Sequence, residues 1–177
     1  MTRLREIMRE ITRLGVHDFM DNTTTRYVVF TNTLAILTAL ILFLICAILL
    51  VSYGFSRPFR LIVVASTIPV FLAIPLLNHQ GFYHTSRLFI CWFIPVFAVG
   101  ISVVSKIVSP DQVSVNDYFD FRIVMLFGAT VPLMIFDSAE RKLLIFGLTP
   151  GILLAIFFDP IHRLFGVSFS GRYDDTT

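Results

Sequence analysis

The chain has 177 residues, 56% of them hydrophobic and 15% charged, with a formal net charge of +2. A soluble domain of this length cannot hide so much apolar surface, which excludes an ordinary globular enzyme or binding module. The small net charge gives no electrostatic footprint for nucleic acid, so no nucleic-acid partner is expected.

Residues 1–15 read as an amphipathic helix. Leu4, Ile7, Ile11 and Leu14 follow a helical spacing with Met8 beside them, and Arg5, Arg9 and Arg13 form a column four residues apart. Glu6 and Glu10 stand three residues ahead of Arg9 and Arg13, and Gly15 sits where a helix stop belongs. Such a helix suits the anionic cytoplasmic leaflet, or pairing with a neighbouring subunit. Asp18, Asp21, Asn22 and Thr23–Thr25 then offer cap side chains, so residues 1–25 form a cytoplasmic helix and linker.

Five apolar runs follow, at roughly 27–53, 61–77, 88–108, 121–136 and 143–158. Each approaches the length of about 20 residues that a spanning helix needs. The first starts too late and runs too long for a cleavable signal peptide, so it reads as an uncleaved anchor. The fold class expected is all-α integral membrane, a bundle of five transmembrane helices at residues 26–160 preceded by the amphipathic helix. Residues 161–177 form a polar extracytoplasmic tail or loop. Proline interrupts four runs, at Pro69 and Pro75, Pro95, Pro132 and Pro150, and permits kinks there. Cys46 and Cys91 lie inside apolar runs and read as small buried hydrophobes.

Orientation follows from Lys and Arg. With the N-terminus inside, the inner side holds Arg3, Arg5, Arg9, Arg13, Arg26, Arg87, Arg141 and Lys142; the outer side holds Arg57, Arg60, Lys106, Arg122, Arg163 and Arg172. The bias is small, but the N-terminal cluster sits beside the helix that usually sets topology. The expectation is a multi-pass protein of a bacterial inner membrane, N-terminus cytoplasmic and C-terminus outside.

Little in the chain carries chemistry. The runs hold almost no ionisable residue, which argues against ion-coupled transport. No HExxH, CxxC, P-loop or Gly-x-Ser-x-Gly pattern is present, so no catalytic residue, metal site or cofactor is expected. His79 and His84 share a loop, a spacing that is weak for metal. Asn32, within the first run, should bond to a neighbouring helix or contact a ligand. An outer rim gathers Lys106, Asp111, Asp117, Asp120 and Arg122 near Tyr118, Phe119 and Phe121, with Asp159, His162 and Arg163 following the last run. That mixture suits a small ligand or a solvated aromatic belt. Asp137 and Glu140 have the spacing of a capping box, with Asp137 accepting from the first N–H groups of the last helix and Glu140 reaching back.

Four stretches, RYVVFTN from Arg26, LLNHQGFYHTSR from Leu76, VPLMIFDSAERK from Val131 and the Thr149–Pro150 pair, occur in an order and spacing that resembles a known module. It is the N-terminal six-transmembrane-helix input module of certain bacterial membrane histidine kinases and class III adenylate and guanylate cyclases. The resemblance covers about residues 12–165. It implies that Asn78, Gly81 and Arg87 shape one inner turn and Asp137, Glu140 and Arg141 the next, both coupling to a cytoplasmic output domain. It also implies a homodimer. The chain departs from the module in lacking its sixth helix: either it is truncated before that helix, or it is a natural five-helix protein outside the group. Signal-sensing candidates are Asn32, Asp117, Asp120 and Arg122.

The function expected is a membrane-embedded sensor or regulatory domain, without chemistry of its own, that perceives an external or membrane-borne signal, a small ligand or lipid. The alternative is a small pore, transporter subunit or membrane-disrupting effector, its path lined by Asn32 and threonines. An integral-membrane enzyme ranks last.

Overall fold

Among the described residues every regular element is a helix, as expected where each segment must satisfy its own backbone polar groups. The structure is a computed structural model describing residues 2–55, 58–108, 110 and 116–169. The helices are α1 (Thr2–Thr12), α2 (Asn22–Tyr53), α3 (Pro58–His79), α4 (Tyr83–Val108), α5 (Asn116–Ile135), α6 (Arg141–Ile156) and α7 (Phe158–Leu164). Four of them, α2 to α5, are long and apolar enough to cross a membrane, and α6 with α7 makes a fifth if that bent pair is one span. The chain forms two compact units, residues 1–90 and 91–177.

In unit one, α1 ends three residues before the expected stop, and the chain reverses through Gly15 at a φ of 85°. A Cβ at Gly15 would lie 2.3 Å from the Asn78 carbonyl oxygen, so glycine is required there by both backbone angle and space. Asp21 caps α2: its Oδ2 accepts from the N–H groups of Thr23 and Thr24, each at 3.1 Å. α2 therefore starts at Asn22, five residues ahead of its apolar run, because the cap fixes the start and hydropathy does not. α2 is apolar all round and leaves Leu40, Phe43, Leu44 and Val51 exposed, an arrangement suited to lipid contact. α3 carries Pro69 and Pro75 without a break and ends at Gly81 (φ 87°), where Phe82 N–H bonds Leu77 C=O and Gly81 N–H bonds Asn78 C=O. That paired closure satisfies the last carbonyls of α3.

In unit two, small residues set the helix contacts. Cβ atoms added at Gly147 and Gly151 would press on Pro132 with Phe136 and on Ala129, seating α6 against α5; one at Gly128 would meet Ile94 at 2.9 Å. Pro150 has no N–H, which deprives the Phe146 carbonyl of its helical donor. The indole N–H of Trp92 takes that place, donating to Phe146 O at 3.1 Å, with the Trp92 and Phe146 rings 4.8 Å apart. The sharp bend of this region, 60° between α6 and α7, falls at Phe157 and not at Pro150.

The expected capping box forms only in part. Glu140 does reach back, accepting from Asp137 N–H at 3.3 Å. Asp137, however, accepts from Ala139 N–H at 3.1 Å, within a turn that precedes the helix. α6 starts at Arg141 with no side-chain cap, so the box closes the turn rather than the helix.

Candidate functional site

Each unit holds a buried polar cluster among its described residues. In unit one, Asn32 and Asn78 are both fully buried. Asn32 Nδ2 donates to two carbonyls beyond and within the end of α1, Leu14 O at 2.9 Å and Thr12 O at 3.0 Å. Its Oδ1 accepts from Asn78 Nδ2 at 2.7 Å. Asn78 Oδ1 in turn accepts from the Ser86 hydroxyl, which also lies 3.0 Å from Tyr83 O. Helix ends present carbonyls without intrahelical donors, and a buried amide is the cheapest way to satisfy two of them at once. This relay ties α1 to α2, α3 and the first turn of α4. Beside it, buried Arg87 contacts His84 Nδ1 at 2.7 Å and lies 5.6 Å from the centre of the Tyr27 ring.

In unit two, Ser102, Lys106 and His162 are buried among aromatic rings. Lys106 Nζ donates to Ser102 Oγ at 2.5 Å and sits 4.2 Å from the Tyr118 ring centre, 5.2 Å from Phe121 and 6.0 Å from Phe158. Rings at these distances offer a cation their negative faces. His162 Nε2 lies 2.8 Å from Ser102 Oγ, and Nδ1 lies 2.7 Å from Phe158 O. A carbonyl only accepts, so Nδ1 carries the proton and Nε2 of the neutral ring accepts from Ser102. The cluster thus runs in one direction, from the Lys106 ammonium through the serine hydroxyl and the imidazole to the first carbonyl of α7. Helical spacing of four builds it twice, as Ser102–Lys106 and Phe158–His162, and the bend at Phe157 brings α7 to α4.

Above this cluster lies a cavity of roughly 420 Å³ whose lining includes Tyr118, Phe119, Arg122, Asp159, Arg163 and Phe169. Its size is at the small end of ligand pockets. Tyr118 forms the partition: it is 1% exposed, packs in the core with Val99, Val103, Met125 and Phe158, and donates its hydroxyl to Val167 O at 2.8 Å. Both oxygens of Asp159 accept from the same nitrogen of Arg122, Nη2, at 2.5 Å. The pair is therefore end-on, and the two-nitrogen fork of Arg122 is not used by it. Arg122 also lies 5.2 Å from the Phe158 ring and 6.0 Å from Phe119.

The residues singled out from the sequence scatter over both units. Asn32 and Asn78 meet in one relay; Arg122 lines the cavity; Gly81 serves the closing turn of α3; Asp137, Glu140 and Arg141 form the turn before α6. Asp120 is exposed on α5. The side chain of Asp117 lies outside the described residues, as do Asp111, Arg172, Asp174 and Asp175. Threonine hydroxyls at 31, 33, 38, 67 and 149 bond carbonyls of their own helices. Sequence reasoning missed Ser86, the joining of Ser102 to His162, and the Arg122–Asp159 pair; only the four-residue spacings left any trace. No group of His, Cys, Asp and Glu able to hold a metal occurs among the described residues. No protein-family model, curated protein or solved structure matches the chain.

Proposed function

We propose that this chain is a membrane-embedded sensor or regulatory module, with five spans, a cytoplasmic N-terminus in a bacterial inner membrane and α1 at the inner leaflet. The input site is the cavity at Arg122 and Asp159, and the response is a change in packing passed to the inner turns and on to an output domain. The observation that carries this reading is a half-exposed charged pair facing a ligand-sized cavity, separated by one tyrosine from a buried lysine relay in otherwise apolar helices. Ionisable groups at such positions are costly to keep unless they serve a function. A ligand acts only through its different affinity for two packings, and a charged pair that it can re-partner supplies that difference. The ordered resemblance to bacterial input modules points the same way.

Hydrogen–deuterium exchange tests it. In the full chain in lipid nanodiscs, Arg122→Gln changes exchange in the turns 78–87 and 137–141 as well as locally. Change confined to the cavity residues sinks the sensor reading. Ion or dye flux from liposomes bearing the purified chain, absent on this reading, would replace it with a pore.

A further inference from the structure

Resting on the cavity as input site, we infer that it takes an amphiphile with an oxyacid head, a carboxylate or phosphate, on a short apolar body. Charge decides the head. Among the described residues, Arg122 and Arg163 line the cavity with one acidic residue, Asp159. Asp159 engages Arg122 through Nη2, the nitrogen common to both two-nitrogen edges of the guanidinium, so a second oxyacid gains a bidentate grip only by displacing it. The Arg163 side chain is exposed and makes no hydrogen bond among the described residues. Lys106 adds positive potential from behind the Tyr118 and Phe121 rings. The body is decided by the walls, where Tyr118, Phe119 and Phe169 present aromatic surface, with Tyr118 and Phe169 packed edge to face at 5.5 Å.

Asp159 is then a built-in competitor. The ligand head displaces it from Arg122 and frees α7, which carries Asp159 one residue after the helix start and His162 at the end of the buried relay. Binding and loosening of α7 are the same event.

The test uses the full chain in phosphatidylcholine nanodiscs and reads the thermal unfolding midpoint during titration. Octanoate raises the midpoint saturably; octanol, with the same body and no charge, binds at least about tenfold more weakly, and octylamine does not bind. Arg163→Gln weakens octanoate by about tenfold and Arg163→Lys restores part of it. Asp159→Asn tightens octanoate, an outcome that a damaged fold cannot imitate. Nanodiscs with added phosphatidylglycerol separate the sources: abolition of the octanoate response assigns the site to a lipid headgroup, and an unchanged response to a soluble acid. Equal binding of octanoate and octanol, or unchanged affinity in both Asp159→Asn and Arg163→Gln, overturns the assignment. Exchange in the inner turns on Arg122→Gln is scored separately. A silent octanoate titration with altered turns removes the ligand class alone, whereas octanoate binding with unaltered turns removes the sensor reading.

Discussion

The two buried clusters solve the same problem with different parts. In unit one, neutral amides satisfy backbone carbonyls at helix ends, and every bond lies between groups that cannot change charge. In unit two, a lysine, a histidine and a half-exposed Arg–Asp pair do the work, and every partner can be exchanged for another. The first is suited to holding a geometry, the second to releasing one. Buried polar networks are worth most when fully satisfied and cost most when half broken, so the difference is open to measurement.

The largest effect belongs to the closest approach. Gly15→Ala forces a Cβ to 2.3 Å from Asn78 O at a φ of 85°, and is expected to cost about 3 kcal/mol. Thermal unfolding in detergent measures it, and exchange at residues 12–15 rises to that of an undocked helix end. Wild-type protection there would show that α1 is held some other way. Next, Asn32→Leu leaves the Asn78 amide and two carbonyls without their partner, at about 2–3 kcal/mol. A double-mutant cycle with Asn78→Leu should give a coupling of about 1 kcal/mol or more. Additive losses would dissolve the relay into independent contacts.

Unit two should yield more gently. Ser102→Ala removes the oxygen shared by Lys106 and His162 and costs about 1–2 kcal/mol. Lys106→Met keeps the volume, removes the charge, and should be neutral to within about 1 kcal/mol. If Lys106→Met proves as damaging as Asn32→Leu, the contrast between a lock and an exchangeable cluster fails. Asp159→Asn costs less than about 1 kcal/mol despite its short contacts, because the pair is 37% and 56% exposed at its two side chains.

The smallest effect is at Asp21. Hydrogen bonds from Thr24, side chain first and then backbone, hold its carboxyl below the usual aspartate range. A lowered value in the folded state means that the cap is fully present above the unfolded-state value and is lost as pH falls through the folded one. Acidification should therefore fray the first turn of α2 with no matching change in Asp21→Asn, as circular dichroism would show.

Much of the scaffold was legible in order along the chain. Long apolar runs have few alternatives to helix in a membrane setting, and α2 to α5 lie where hydropathy places them. Their ends were less legible. Asp21 starts α2 among threonines that hydropathy reads as linker, and the Asp137–Glu140 turn pushes the start of α6 to Arg141. Asn32 was visible as an amide in an apolar run, but its partners are 18, 20 and 46 residues away and two of them are backbone atoms. No side-chain pattern can announce a bond to a carbonyl. The Arg122–Asp159 pair, 37 residues apart, was hidden for the related reason that the bend at Phe157 creates it.

Composition and apolar run length by themselves determined that this protein is helical and has several segments fit to cross a bilayer, because lipid leaves backbone groups no other donors or acceptors. Tertiary structure alone decided which polar atoms meet: that Asn32 grips the end of α1, that Trp92 repairs the carbonyl freed by Pro150, and that Ser102, Lys106 and His162 form one relay. Helix formation is settled within a few turns of sequence. The pairing of buried polar groups depends on which helix ends are brought together, and that is a property of the packed chain.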